Sequence, residues 1–226
     1  MKKIFEEFGF NIDDAKAEKF ERYYDLLTFY NDKFNITAIT DKKEVIVKHF
    51  IDSVYPYEYF GNLRMIDVGA GGGFPSLPLK ILNDGINLTL LEATGKKCEF
   101  LKTVIKELKI SNAEVVNLRA EDAGKDINFR EKFDYAVSRA VARLNTLSEY
   151  CIPFVKIGGE FVAYKGDTEE EIKEAENAIK TLGARIGKVE KYDLDGAKRT
   201  LIYIKKINST DKKYPRGNGK ERKNPL

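Results

Sequence analysis

The run Met65-Ile66-Asp67-Val68-Gly69-Ala70-Gly71-Gly72-Gly73-Phe74-Pro75 gathers the residue types that bring a backbone close to a ligand. Glycines directly after an apolar strand permit a tight turn, and the helix that follows begins with N–H groups lacking intrahelical partners. Such a strand-turn-helix unit is a cofactor site. The turn does not follow the Gly-x-Gly-x-x-Gly dinucleotide pattern, and it lacks the Gly-Lys-Ser/Thr that closes a P-loop. Asp67, just before it, suits a cationic or amine-bearing ligand and is poorly placed beside a pyrophosphate. Electrostatics therefore favour S-adenosyl-L-methionine.

Glu92 ends the next apolar run, where a carboxylate can accept both hydroxyl hydrogens of a ribose in a crevice above a sheet. The same placement would hold the ribose of a nicotinamide dinucleotide, so Glu92 points to an adenosine-like ligand without deciding its chemistry. Arg119-Ala120-Glu121 follows a third run, and Ala120 with Glu121 could frame an adenine; a surface ion pair is the competing reading. His49, the only histidine, invites a general-base role, yet it has no matched nucleophile nearby in sequence and reads better as structural.

These residues need elements to hold them. Short apolar segments at 65–68, 88–91, 114–118 and 135–137 read as buried parallel strands, with helices at 76–83, 94–109, 143–155 and 168–182 between or after them. Residues 160–164 form a further strand, and 184–192 with 199–206 form a closing antiparallel hairpin turned at Asp193–Lys198. Upstream, Phe20, Tyr23, Tyr24, Leu27, Tyr30 and Phe34 recur at helical spacing over 13–34, capped by Asp13 or Asp14. That aromatic face could be a platform for bases, but a buried face fits the spacing better. A second helix starts at Asp41, with Glu44 available to close a capping box, and ends at Pro56. The expected architecture is α/β: a seven-stranded, mostly parallel sheet with a small helical cap. Its parts are a helical extension at 1–60, a catalytic domain at 61–206 and a basic tail at 207–226.

The 226 residues, 42% hydrophobic and 33% charged, suffice for one substantial core. Two cysteines and one histidine cannot supply an ordinary Cys/His zinc cluster, and no segment reads as a signal peptide or membrane span, so a cytoplasmic protein is expected. The net charge of +3 is unevenly distributed, because residues 205–226 hold eight Lys or Arg against two acids and carry +6, leaving −3 for the rest. A basic terminus beside a near-neutral body suits a polyanion such as RNA, although a solvated tail that aids solubility has the same composition.

Phe34-Asn35-Ile36-Thr37-Ala38, His49-Phe50-Ile51-Asp52-Ser53, the loop from Asp67 to Pro78, Leu91-Glu92-Ala93 with Lys96-Lys97, Arg119-Ala120-Glu121, Ser138-Arg139-Ala140-Val141-Ala142, Lys165-Gly166 and Lys213-Tyr214-Pro215-Arg216 occur in one order. In that order and spacing the chain resembles the class I methyltransferases, and more closely the bacterial RsmG family, also called GidB, which makes 7-methylguanosine in the 530 stem-loop of 16S ribosomal RNA. Ala70 and Ser76 depart from the serine and glycine common in that family's loop, and both replacements are small.

The resemblance implies that Asp67, Gly69, Gly71, Gly73 and Phe74 surround the methionine part of the cofactor, Glu92 holds the ribose, and Ala120 and Glu121 approach the adenine. Arg139, after the fourth strand, would meet the transferred methyl and the target base as the catalytic residue and a cofactor contact. Asn35, Lys165, Arg199, Arg216 and Lys220 would contact RNA, helped by Lys205, Lys206, Lys212 and Lys213, with Thr37, His49 and Asp52 extending the footprint. The expected partner is 16S rRNA, within the small ribosomal subunit, bound by a monomer that uses neither DNA nor a membrane. A small-molecule methyltransferase and a non-catalytic RNA-binding or assembly protein remain the alternatives.

Overall fold

A computed structural model describes residues 1–139 and 141–226; Ala140 of the Ser138–Ala142 motif lies outside the described residues. The chain forms α1 (Lys2–Glu7), α2 (Asp14–Asn31) and α3 (Lys42–Val45), which runs through a π-helical stretch (Ile46–Ile51) into α4 (Asp52–Val54). Then come β1 (Arg64–Val68), α5 (Ser76–Leu82), β2 (Asn87–Leu91), α6 (Gly95–Glu107), β3 (Ala113–Val116), α7 (Ala120–Ala123) and β4 (Phe133–Arg139). The remainder is α8 (Leu144–Cys151), β5 (Val155–Lys165), α9 (Glu169–Thr181), β6 (Ala184–Leu194), β7 (Ala197–Lys206) and α10 (Lys220–Lys223).

All seven strands join one sheet in the order β3-β2-β1-β4-β5-β7-β6. The first five are mutually parallel, and β7 runs antiparallel to both β5 and β6. This is the expected seven-stranded sheet. Strand order reverses between β1 and β4, so a crevice opens at their carboxyl ends, where α/β proteins bind ligands. Register aligns that edge: Val68 sits opposite Leu91, and Asp67 lies between Leu90 and Val137. Ser138 Oγ donates to the Val68 carbonyl at 2.7 Å, fastening the ends of β4 and β1 together.

Alternation along the strands divides the core between the two faces. Met65 and Leu88 pack with Phe5, Phe20, Tyr23, Phe50 and Phe100 on one face; Ile66 and Val68 pack with Leu147, Phe154, Ile179 and Tyr214 on the other. The amino-terminal helices therefore have no core of their own. They lie on the sheet and share its apolar interior with α5 and α6. The aromatic face of α2 is buried at Phe20, Tyr23 and Leu27.

Several boundaries differ from those the sequence predicts. The helix expected at 143–155 ends at Cys151, where Ile152–Phe154 tightens into a 3-10 turn around Pro153, which has no N–H to continue the ladder. Strand β5 starts at Val155 rather than 160 and passes through Gly158 and Gly159, accommodated by a register shift opposite Phe133 and Tyr135. Asp41 caps α3 by accepting from Glu44 N at 2.9 Å, but Glu44 turns its carboxylate to Lys48 and no reciprocal capping box forms. Cys98 and Cys151 are buried free thiols. Among the described residues no helix is long and apolar enough to cross a membrane.

A buried hydrogen bond joins the amino-terminal helices to the glycine loop. Tyr23 of α2, fully buried, donates its hydroxyl to the Gly72 carbonyl at 2.5 Å and stacks on Phe74. Replacing Tyr23 by Phe keeps the stack and leaves a buried carbonyl without its donor. We expect a stability loss of about 1–2 kcal/mol, readable as a thermal midpoint lower by roughly 2–8 °C. An unchanged midpoint would show that the loop does not depend on this hydroxyl.

Candidate functional site

The crevice at the carboxyl ends of β1, β2 and β4 is a cleft of about 780 Å³. Its floor is the turn after β1. Gly69, Gly71 and Gly73 adopt φ of 75°, 57° and 87°, the left-handed region that side chains disfavour. A Cβ on Gly69 would come within 2.7 Å of Val141, whereas one on Gly71 would meet nothing closer than 3.7 Å and would occupy the cleft itself. Gly69 N and Ala70 N both donate to the Leu91 carbonyl, at 2.8 and 3.1 Å, so the loop is seated on the end of β2.

Glu92 completes that seat. Its Oε2 accepts from Gly71 N at 2.9 Å and its Oε1 from Thr94 N at 2.8 Å. Its backbone carbonyl accepts from Asn117 Nδ2 at 2.9 Å and from Cys98 Sγ at 3.3 Å. Each carboxylate oxygen thus carries one protein donor and keeps capacity for another. A buried acceptor held this way is matched to a pair of neighbouring hydroxyls on a ligand.

Asp67 is placed differently from the sequence expectation. The residue is completely buried beneath the loop and is not on the cleft wall. Oδ2 accepts from Ser76 Oγ at 2.5 Å and from Ser76 N at 3.3 Å, while Oδ1 has no partner among the described residues. The carboxyl ties the strand end to the start of α5. Burial pushes it up to about 7, against the pull of the Ser76 donors. Gly73 also faces inward, against Leu77 and Tyr23. Ser76, one of the two departures from the resembled family, is the residue that satisfies half of this buried acid.

Arg139 ends β4 and lines the cleft. Its Nη1 donates to Asp52 Oδ2 at 2.9 Å and to the Lys48 carbonyl at 3.2 Å, and its guanidinium lies 5.0 Å from the centre of the Phe74 ring. Its Nη2 approaches His49 Nδ1 at 3.2 Å. Arginine can only donate, so His49 Nδ1 is the acceptor and the ring proton sits on Nε2, which donates to Thr37 Oγ1 at 2.8 Å. Burial and then the Arg139 charge lower His49 to about 3. His49 is therefore a neutral spacer between Thr37 and Arg139, stacked on Phe74 with ring centres 4.6 Å apart.

Asp52 is the hub of this end. Besides Arg139 it accepts, on Oδ1, from Tyr192 of β6 at 2.9 Å and Arg199 of β7 at 3.2 Å. The π-helical stretch just before it places His49 and Asp52 on the side facing β4, one of the roles such irregular turns serve. Nothing in the sequence marks this pairing, because Asp52 and Arg199 are 147 residues apart.

At the opposite end, Ala120 and Glu121 of α7 line the cleft with Tyr150, Asn218 and Arg222. Of the residues read as cofactor contacts, Gly69, Gly71, Phe74, Glu92, Ala120, Glu121 and Arg139 stand on its walls. Sequence reading did not place Ile36, Lys97, Asn218 or Arg222 there. The only hint of the last two was the Gly217-Asn218-Gly219 turn within the basic terminus.

The residues read as RNA contacts are scattered. Asn35 and Lys220 are exposed, and Asn35 adjoins Ile36 and Thr37 of the cleft wall. Lys165 binds Glu171 at 2.7 Å and the Ala142 carbonyl at 2.9 Å, and Arg199 is held by Asp52. Arg216 turns inward onto Glu149 of α8, and Lys206 is buried against Glu131, Thr210 and Ile152. Local charge does not reveal the partners of Arg199, Arg216 and Lys206, because Asp52, Glu149 and Glu131 lie far away in the chain.

Comparison with known proteins agrees with the geometry. The family model for rRNA small subunit methyltransferase G matches residues 16–202. A protein of Acetivibrio thermocellus named ribosomal RNA small subunit methyltransferase G is 45% identical over 223 residues, covering 97% of this chain and 92% of that protein. One of the same name from Carboxydothermus hydrogenoformans is 45% identical over 231 residues, covering 100% and 98%. Among solved structures, M. jannaschii TYW2 in complex with AdoMet has a TM-score of 0.55 at 15% identity, covering 70% of this chain and 76% of that one. A SAM-dependent methyltransferase from Aquifex aeolicus has a TM-score of 0.53 at 16% identity, covering 73% and 93%. These likenesses show the class I methyltransferase fold.

The two shifted groups make opposite contributions to stability. Between 6.5 and about 3 the unfolded chain protonates a histidine that the folded chain keeps neutral, so His49 lowers stability as pH falls through that interval. Between 3.8 and about 7 the folded chain keeps a proton that the unfolded chain releases, so Asp67 lowers stability as pH rises through it. Asp67→Asn should therefore expose the His49 slope, with the thermal midpoint rising steeply from pH 4 to 6.5 where the wild type is flatter. The single histidine ring signal in NMR should not titrate between pH 5 and 8; a midpoint near 6.5 would overturn the buried-spacer assignment.

Proposed function

The chain belongs to the rRNA small subunit methyltransferase G family, and from that premise we propose that it transfers the methyl group of S-adenosyl-L-methionine to N7 of a guanine in 16S ribosomal RNA, within the 530 stem-loop. The observation that supports this most strongly is the joining of Glu92 to the glycine loop in the cleft where strand order reverses. The residues there fit this cofactor. Glu92 offers two acceptors with spare capacity to the ribose hydroxyls, and the missing side chain at Gly71 leaves room against the backbone. Ala120 and Glu121 take the adenine, and the loop with Phe74 takes the methionine part. Asp67 and Gly73 support the loop from beneath.

When bound, S-adenosyl-L-methionine supplies an electrophilic methyl carbon on a sulfonium. Guanine N7 carries a free lone pair and no proton, so the protein has no proton to remove. The chain's work is to hold the base in line and to replace water by fixed polar groups. Arg139 is suited to that work because four surrounding groups orient it: Asp52, the Lys48 carbonyl, His49 and the Phe74 ring. Its remaining donors can meet acceptors on the Hoogsteen edge of a guanine, such as O6, in the planar manner that guanidinium favours. His49, neutral and engaged at both nitrogens, holds Arg139 and is not the base.

Exposed Asn35, Lys212 and Lys220 remain available for phosphates, as does Lys213 through its exposed pair with Asp211, whereas Arg199, Lys165 and Arg216 act through internal partners. We place the encounter on the small ribosomal subunit, with a monomeric enzyme.

A labelled-methyl assay on small subunits and on isolated 16S rRNA, followed by nucleoside mapping, tests the reading. The expected product is 7-methylguanosine; a different methylated base, or label confined to small molecules, would sink it. Glu92→Ala should weaken cofactor binding by about 2 kcal/mol, roughly thirtyfold. Arg139→Lys, which cannot keep the planar hold, should lower kcat by about 10²-fold with cofactor affinity changed far less.

A further inference from the structure

The basic terminus does not extend into solvent. After β7 the chain folds back over α7 and α8, and Arg130 anchors it by donating to the carbonyls of Thr210 at 2.7 Å, Asp211 at 3.1 Å and Tyr214 at 2.8 Å. Tyr214 and Pro215 are buried, and a Cβ on Gly124, at the end of α7, would come within 2.9 Å of the Pro215 ring. The strongest contact is Arg216. Its Nε and Nη2 reach the Glu149 carboxylate at 3.0 and 2.7 Å, and its backbone N donates to the same group at 2.8 Å.

Glu149 is 1% exposed, in the middle of α8. A carboxylate buried this completely is costly without a partner, and Arg216 is the partner that the structure supplies. Beyond it, Gly217, Asn218 and Gly219 take φ of 80°, 59° and 72°, a left-handed turn closed by Gly217 N donating to Glu221 and by Thr146 Oγ1 donating to the Glu221 carbonyl at 2.9 Å. That turn brings Asn218, Gly219 and Arg222 onto the wall of the cleft, beside Glu121 and Tyr150.

We propose that residues 214–222 are the outer wall of the cofactor cleft, that Asn218 and Arg222 contact the adenine end of the bound ligand, and that the Glu149–Arg216 pair is the positioning contact that holds this wall in place. The assignment rests on the cofactor reading above. Its chemistry suits a purine: the guanidinium of Arg222 packs flat on an aromatic face, and the amide of Asn218 both donates and accepts along a ring edge. The charge of the terminus then serves two purposes, with Arg216 and Arg222 acting inward and Lys212, Lys213 and Lys220 left outside.

The test is calorimetric binding of S-adenosylhomocysteine to the full chain, its Arg216→Ala variant and the double variant Asn218→Ala with Arg222→Ala. Thermal melts and binding of 16S rRNA at two salt concentrations accompany it. Both variants should raise Kd by about tenfold or more, and KM for S-adenosylmethionine in parallel, with kcat at saturating cofactor changed by less than about twofold. RNA affinity and its salt slope should hold to within about twofold for Arg216→Ala. Bound S-adenosylhomocysteine should also protect the amides of 214–222 from exchange in the wild type. If Arg216→Ala does not fold, the double variant, whose two side chains are exposed, decides alone. A Kd within about twofold of wild type in the double variant overturns the wall, as does a loss of RNA affinity with cofactor affinity intact. A wild type that binds no S-adenosylhomocysteine overturns the cofactor reading and this inference with it.

Discussion

The buried carboxylate of Asp52 sets the constraint around which one end of this molecule is arranged. Two arginines from different strands, Arg139 and Arg199, and the hydroxyl of Tyr192 converge on it. A carboxylate buried to this degree is tolerable only when its charge is matched and its lone pairs are filled. Those partners come from β4, β6 and β7, and Asp52 itself from the amino-terminal helices. Satisfying one acid therefore fixes the helical layer against both the parallel part of the sheet and its antiparallel hairpin. Arg139, which faces the cleft, inherits its orientation from that arrangement.

The cleft shows a division between groups that line it and groups that hold those groups. Glu92, Gly71 and Arg139 line the space; Asp67, Tyr23, Ser138 and His49 fasten the liners. His49 illustrates why residue type alone misleads. An unperturbed imidazole is the usual general base near neutral pH, but here the ring accepts from an arginine and is partly buried, so the protonated form is disfavoured. A neutral histidine in this position suits a reaction that requires no deprotonation. The acid Asp67 is likewise kept off the cleft wall by burial, and its proton affinity rises.

Much of the fold was legible because it follows from periodicity. The strands near 65, 88, 114 and 135 are where short apolar runs put them, the hairpin at 184–206 closes the sheet as expected, and the order of the glycine loop and Glu92 announced the crevice. What periodicity missed was short or stitched by distant partners. Helices α1, α7 and α10 have only 6, 4 and 4 residues, too few for a period to show. The start of β5 was hidden by two glycines, which weaken any strand signal although the neighbouring strand shifts to accept them.

The sequence by itself determined the fold class, the family, and the glycine loop and acid that meet at the cleft, since each is carried by residues adjacent in the chain or by their order along it. Tertiary structure alone decided which charges meet. Arg216 pairs with Glu149, Arg199 with Asp52, and Lys206 lies buried, so the +6 terminus is in part a wall of the molecule and not simply a free tail. The physical reason is that backbone preference and apolar spacing act over a few residues. The fate of a charge depends on the burial and partners it finds after the chain has closed, and composition carries no record of either.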